Sequence, residues 1–230
     1  DDVEQHHIMD SNRGANKFLF SNDSVAQRTG SHAGGHNAIN AFDSNGFSIT
    51  SSGSGDELNF GTRLYVAWQW VFNGGTTASN SDGSITSTVQ ANTTAGMSIV
   101  TYTGAGGTQT IGHGLGEVPA VYFVKRFDDG GDWTSFHDSL GNTKFMRLNS
   151  TNASASQTTY WNNTSPTSSV FTVGSAGDVN TSSGSHVAYV FAQRKGFSKF
   201  GTYKGNSDND GTFIYTGFKP AWVMTKQHNG

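Results

Sequence analysis

Hydrophobic residues in this chain fall in short runs that alternate with polar ones and stop at clusters of Asn, Asp, Ser and Gly. A two-residue period bounded by turn formers is the signature of β-strands. Such runs lie at Lys17–Phe20, 47–50, 64–72, 98–103, 120–126, 143–148, Val170–Val173, 187–193, 213–215 and 221–225. Ser21-Asn22-Asp23, Asn45-Gly46 and Asn73-Gly74-Gly75 are among the turns between them. The most hydrophobic run is 64–72 (LYVAWQWVF). Its alternation places Leu64, Val66, Trp68, Trp70 and Phe72 on one face, which is expected to point into the core. No window sustains a helical period, and a short helix around 91–95 is the most the pattern allows.

The strands recur. Residues 96–125 return in altered form as 196–226, with Tyr102, Gly104, Pro119 and Lys125 answered by Tyr203, Gly205, Pro220 and Lys226, each 101 positions later. Lys17-Phe18 and Asn22 are matched by Lys144-Phe145 and Asn149 at an offset of 127, and Tyr65-Val66-Ala67-Trp68 by His186-Val187-Ala188-Tyr189 at 121. Shrinking offsets mean that strand order is kept while loops change length. The expected architecture is all-β: two tandem, sequence-related β-sandwich-like units with no substantial helix. The expected boundaries are an N-terminal extension 1–9, a first unit 10–125 with 76–94 as an inserted surface loop or edge hairpin, a connector 126–137, and a second unit 138–230 cut short at its C-terminal end. With no initiator Met or signal peptide at Asp1 and an end in mid-pattern, the chain is expected to be a segment of a longer protein.

Composition sharpens the class. Only 13% of residues are charged and 33% hydrophobic, yet aromatics reach 12%, so large anchors interrupt a polar chain rich in its 30 glycines. That mixture suits strands joined by turns rather than disorder. A net charge of -3 gives no basic stripe for nucleic acid, and no apolar run reaches the length of a membrane span. With no cysteines, neither disulfides nor thiolate metal sites can form.

Chemistry-bearing residues are sparse. Asp128, Asp129 and Asp132 form an acidic, Gly-rich loop, and Asp208 and Asp210 open a stretch like a calcium loop. The position that should bring the bidentate Glu is Gly217, so no metal is assigned and these five acids stand only as weak candidates. His32 and His36 are separated by Ala33-Gly34-Gly35, which disfavours the helix a metal pair would need. No serine sits in G-x-S-x-G, Gly53-Ser54-Gly55 being too short to count, and Glu117 is the one glutamate besides Glu4 and Glu57. Catalysis and cofactors are therefore not expected. Tyr160, Trp161, Asn162 and Trp133 are the candidate ligand-binding residues, with rings that could stack on a sugar and amides that could bond its hydroxyls. Trp68 and Trp70 are read as core. Gly104, Gly112, Gly114, Gly116 and Gly205 are read as turn glycines.

Segments such as RGANKFLFSN, YVAWQW, SDGSITSTVQANTTAGMSIVTYTG, IGHGLGEVPAVYFVKR, DSLGNTKFMRLN, YWNNTSPTSSVFTVGS and VAYVFAQRKGFSKFGTYKGN resemble a repeat found in tail-fibre-like proteins of marine bacteriophages, especially those of cyanobacteria and other oceanic bacteria. The resemblance implies an extracellular virion appendage, largely β and homotrimeric. It would contact other virion tail proteins and a host-surface glycan or protein. Host attachment without catalysis is the expected function. A structural spacer or virion-attachment module is the alternative, and a polysaccharide depolymerase a further one.

Overall fold

The structure is a computed structural model that describes residues 5–30, 39–49, 58–59 and 61–229. Three strands, β1 (His7–Ile8), β2 (Lys17–Phe20) and β3 (Arg28–Thr29), form a small antiparallel sheet, and β4 (Ile39–Asp43) pairs with β5 (Gly46–Ile49). The remaining strands are β6 (Ala78–Asn80), β7 (Ser87–Asn92), β8 (Met97–Thr103), β9 (Gln109–Gly112), β10 (Val121–Arg126), β11 (Thr134–His137), β12 (Lys144–Arg147), β13 (Ala155–Ser156), β14 (Val170–Val173) and β15 (Ser185–Phe191). Eight of these build the main sheet in the order β13-β12-β11-β10-β15-β8-β7-β6, all antiparallel, while β9 and β14 pair separately. Two four-residue helices, α1 (Thr158–Trp161) and α2 (Gly177–Asn180), and two single 3-10 turns, Asn73–Gly75 and Asp138–Leu140, complete the described elements. The all-β expectation therefore holds.

β15 lies between β10 and β8 and is buried on both faces. Ala188 and Val190 point into a cluster with Val100, Tyr102, Tyr122, Val124 and Phe136, roofed by Ile111, Phe171, Trp161 and Val179 from β9, β14 and the helices. Val187 and Tyr189 point the other way, to Ile99, Trp133 and Leu19 of β2. A strand apolar on both faces is stable only when both are covered.

The second cover is the N-terminal segment, and it is pinned by a buried polar knot. Arg13 Nε lies 2.5 Å from Asp10 Oδ2, and the Tyr189 hydroxyl donates to the same oxygen at 2.5 Å. Arg13 also donates to the Tyr189 oxygen (3.3 Å), to Gln27 Oε1 (3.0 Å) and to the Ile8 carbonyl (3.1 Å). Trp133 Nε1 adds a bond to the Phe20 carbonyl at 2.7 Å.

Two sequence expectations are modified, and one of two alternatives is selected. The stretch 91–95 ends β7 and turns, with no helix. Within 76–94, β6 and β7 form a hairpin at the edge of the main sheet. The segments 64–72, 213–215 and 221–225 form no strand, and Trp68 and Trp70 are 62% and 49% exposed rather than core. Periodicity identified the apolar face, but it takes a neighbouring strand to bury one. Strands from both sides of 126–137 share one sheet, with β10 bonded to β15 and β15 to β8.

Replacing Asp10 with Ala leaves the Arg13 guanidinium buried without its counter-charge, and the expected loss is about 3–5 kcal/mol of unfolding free energy. Urea denaturation followed by tryptophan fluorescence measures it; a loss under about 1 kcal/mol would contradict this role for the knot.

Candidate interaction surface

The aromatic rings expected at a sugar site are in the core. Trp161 ends α1 fully buried, with Nε1 donating to the Lys144 carbonyl (3.0 Å) and its plane edge-on to Tyr122. Tyr160 stacks on Phe145, and its hydroxyl donates to Asp178 and accepts from Arg147. Trp133 is fully buried against Tyr189. Each carries a large apolar area whose burial outweighs exposure once the polar edge finds a partner. The stacking role assigned to these three is thereby corrected: no ring face stands open to a ligand.

Asn162 is different. It caps α1 in the left-handed region (φ 50°), and Asn163 repeats that conformation (φ 51°). Both side chains are exposed, as is most of 162–169; Pro166 is buried, and Asn142 Nδ2 donates to Ser165 Oγ at 2.9 Å. Two successive left-handed non-glycine residues fix the loop's path, and asparagine tolerates that geometry best.

The acids have local partners. Asp128 and Asp129 pair with Arg126 at 2.9 and 3.4 Å, and Asp132 with Arg147 at 2.5 Å and Asn149 at 2.8 Å. Asp208 and Asp210 lie in exposed turns, with Asp208 Oδ1 accepting from the Asp210 amide. No group of three metal-ligating side chains occurs among the described residues. His32, His36, Glu4, Glu57 and Gly53-Ser54-Gly55 lie outside the described residues.

Large exposed hydrophobics gather in two segments. Leu64, Val66, Trp68, Trp70 and Val71 stand on the first, and Phe197, Tyr203, Phe213, Tyr215, Trp222, Val223 and Met224 on the second. Trp70 and Trp222 meet edge-to-face at 6.0 Å. Scattered exposed apolar residues are ordinary, but contiguous ones mark a contact surface. Sequence reading placed the first segment in the core, where its match to β15 at a distance of 121 positions also pointed. Concavities are modest: one of about 390 Å³ beside Glu117, Pro119, Asp138 and Gln193, and one of about 480 Å³ within 213–220. Glu117 at the first is ion-paired with Arg194.

Buried titratable groups tune stability rather than line a cleft. His113 and His186 are fully buried, and His137 partly so; burial holds all three below the ordinary histidine value of 6.5. His113 Nδ1 accepts from the Leu115 amide, so Nε2 is the donor to the Thr167 carbonyl and the ring is neutral. Lys125, fully buried and donating to the Ser24 and Arg126 carbonyls, is lowered by burial to about 8 from 10.5, although Asp178, Asp132 and Asp23 oppose the shift. The signs follow from which state holds more protons. Below pH 6.5 the unfolded histidines take up protons that the folded ones resist, so stability present above that pH is lost as pH falls. Between about pH 8 and 10.5 it is the unfolded Lys125 that keeps its proton, so its contribution to stability rises with pH. Thermal melts should fall from pH 7 to pH 5, and from pH 8 to 10 the native chain should gain on a Lys125→Met variant. A flat acid limb or a parallel alkaline limb would refute these assignments.

Comparison with curated proteins and with solved structures finds no match. A family model described as "Domain of unknown function (DUF7483)" matches residues 1–230. The chain, an all-β protein whose large exposed apolar residues gather in 64–71 and 197–224, belongs to that family.

Proposed function

We propose that this chain is a segment of a bacteriophage tail fibre or similar virion appendage that takes part in host attachment without catalysis, by displaying polar loops on a repeated β scaffold. The observation that carries this reading is the loop 162–169. Its base is anchored by buried Tyr160 and Trp161, its path is fixed by Asn162 and Asn163 in the left-handed region, and its exposed face offers amides and hydroxyls. Rigid presentation of such groups suits recognition of a hydroxyl-rich glycan, because little ordering entropy remains to be lost on binding. The aromatic pair thus acts as the loop's foundation instead of its contact surface. The resemblance to marine phage tail-fibre repeats, the Gly-, Ser- and Thr-rich composition and the absence of cysteine agree with an extracellular virion location. Assembly as a homotrimer of 24.5 kDa chains alongside other tail proteins belongs to the same proposal.

Adsorption of the labelled chain to a panel of oceanic bacteria and to a glycan array tests this directly. A double Asn162→Gly/Asn163→Gly variant keeps the backbone geometry while removing both amides. Its melting profile should match that of the native chain while binding falls at least tenfold, equivalent to about 1.4 kcal/mol. Absence of binding by the native chain would reject attachment in favour of a spacer. Light scattering checks assembly, and a monomer mass would reject the trimer.

A further inference from the structure

The repeat and the folded strands are out of phase. The complete set of strands around the main sheet runs from β6 to β15, so it takes β6 to β10 from the first copy, β11 from the connector and β12 to β15 from the second. What remains is a front part at one end, residues 5–72, and a back part at the other, 196–229. Their sequences correspond to the strands that each part would have to supply. Phe47 and Ile49 in β5 match Phe171 and Val173 in β14 at an offset of 124, 64–70 match β15 at 121, and 222–227 match β10 at 101.

The folded N-terminal part repeats the register of the complete set. β11 pairs with β12 through Thr134↔Arg147 and Ser135↔Met146; subtracting 127 gives His7↔Phe20 and Ile8↔Leu19, the observed pairs of β1 and β2. β12 pairs with β13 through Lys144↔Ser156 and Phe145↔Ala155; the same subtraction gives Lys17↔Thr29 and Phe18↔Arg28, the observed pairs of β2 and β3. One offset reproduces four residue pairs across three strands.

Contacts between the two sets are reciprocal. The Gln27 amide donates to the Phe127 carbonyl at 2.9 Å, and the Ser154 amide to the His228 carbonyl at 2.8 Å. Adding 127 to Gln27 gives Ser154, and adding 101 to Phe127 gives His228. Lys125 Nζ bonds the Ser24 carbonyl, and its counterpart Lys226 bonds the Ser150 carbonyl, one residue before Thr151, the counterpart of Ser24. Such exchange of equivalent bonds is what a pseudo-two-fold axis within one chain produces.

The same arithmetic places the exposed segments. β10 and β15 pair through Val121↔Phe191 and Phe123↔Tyr189. Transposed by 101 and 121, these become Trp222↔Trp70 and Met224↔Trp68, and the Trp70 and Trp222 rings are already in contact. We infer that the two ends of the chain are complementary and close on each other as a second unit of the same fold. Residues 64–70 take the place of β15, flanked by 198–204 in the place of β8 and 222–227 in the place of β10. The latter lie against β1, which stands where β11 does. The partner of each exposed apolar segment is thus the other end of the same chain.

Cross-linking tests this cleanly, because the chain has no cysteine. Residues directly opposite in an antiparallel pair have Cα atoms about 4.5–5.5 Å apart, within disulfide range. Trp70→Cys/Trp222→Cys, and Gln69→Cys/Val223→Cys, which spares both tryptophans, should each oxidise to an intramolecular disulfide in most molecules. Off-register Trp68→Cys/Trp222→Cys should not. Disulfide-linked dimers would show that the halves close between chains, and equal yield off register, or no bond in either in-register pair, would show that no such ladder forms. Any of these results overturns the proposal.

Discussion

Everything in this fold depends on β15 being apolar on both faces. A half-buried strand needs one covering layer; a strand reading His-Val-Ala-Tyr-Val-Phe needs two. One layer comes from β9, β14 and the short helices, and the other from the N-terminal turn held by Asp10, Arg13 and Tyr189. The second layer is the costlier to arrange, because a guanidinium, a carboxylate and a phenol must leave water together. It holds because the carboxylate's bonds are supplied by Arg13 and the Tyr189 hydroxyl at once. The knot also explains why residues far apart in the chain belong to one folded object.

Seven of the ten runs read as strands fold as strands, and the repeat was legible too, because two-residue alternation and turn chemistry are local. The β2, β14 and β15 runs, the glycine turns at Gly114 and Gly116 and the lack of any long helix follow from that alone. Phase was not legible. A tandem repeat reads the same wherever its unit is taken to begin, and only strand pairing reveals that β10 joins β11 and β15 across the apparent boundary. Burial was legible only by type. Trp68 and Trp70 have the pattern of core residues, yet among the described residues no strand pairs with 64–72, which stays exposed. Trp133 and Trp161 sit beside turns, as ligand-binding rings often do, but their N–H groups reach the Phe20 and Lys144 carbonyls, which lets the rings enter the core.

For function, the consequence is a division between foundation and display. Aromatics and buried histidines hold the scaffold, while exposed amides and hydroxyls ride on loops whose lengths differ between the copies. The loop 162–169 stands on Tyr160 and Trp161, so changes at its tip need not disturb the core beneath. In the proposed attachment role, a surface that varies with its target would benefit from that separation. Interlocking ends would add robustness that a chain without disulfides otherwise lacks.

Amide hydrogen exchange of the intact native chain, read by mass spectrometry at peptide resolution, addresses the two-unit organisation most directly. If the ends close into a second unit, amides in 64–70 and 222–227 will be protected to a degree approaching β15 and β10. Exchange in both segments as fast as in the open loop 162–169 would contradict it, and would leave a single unit with two exposed arms.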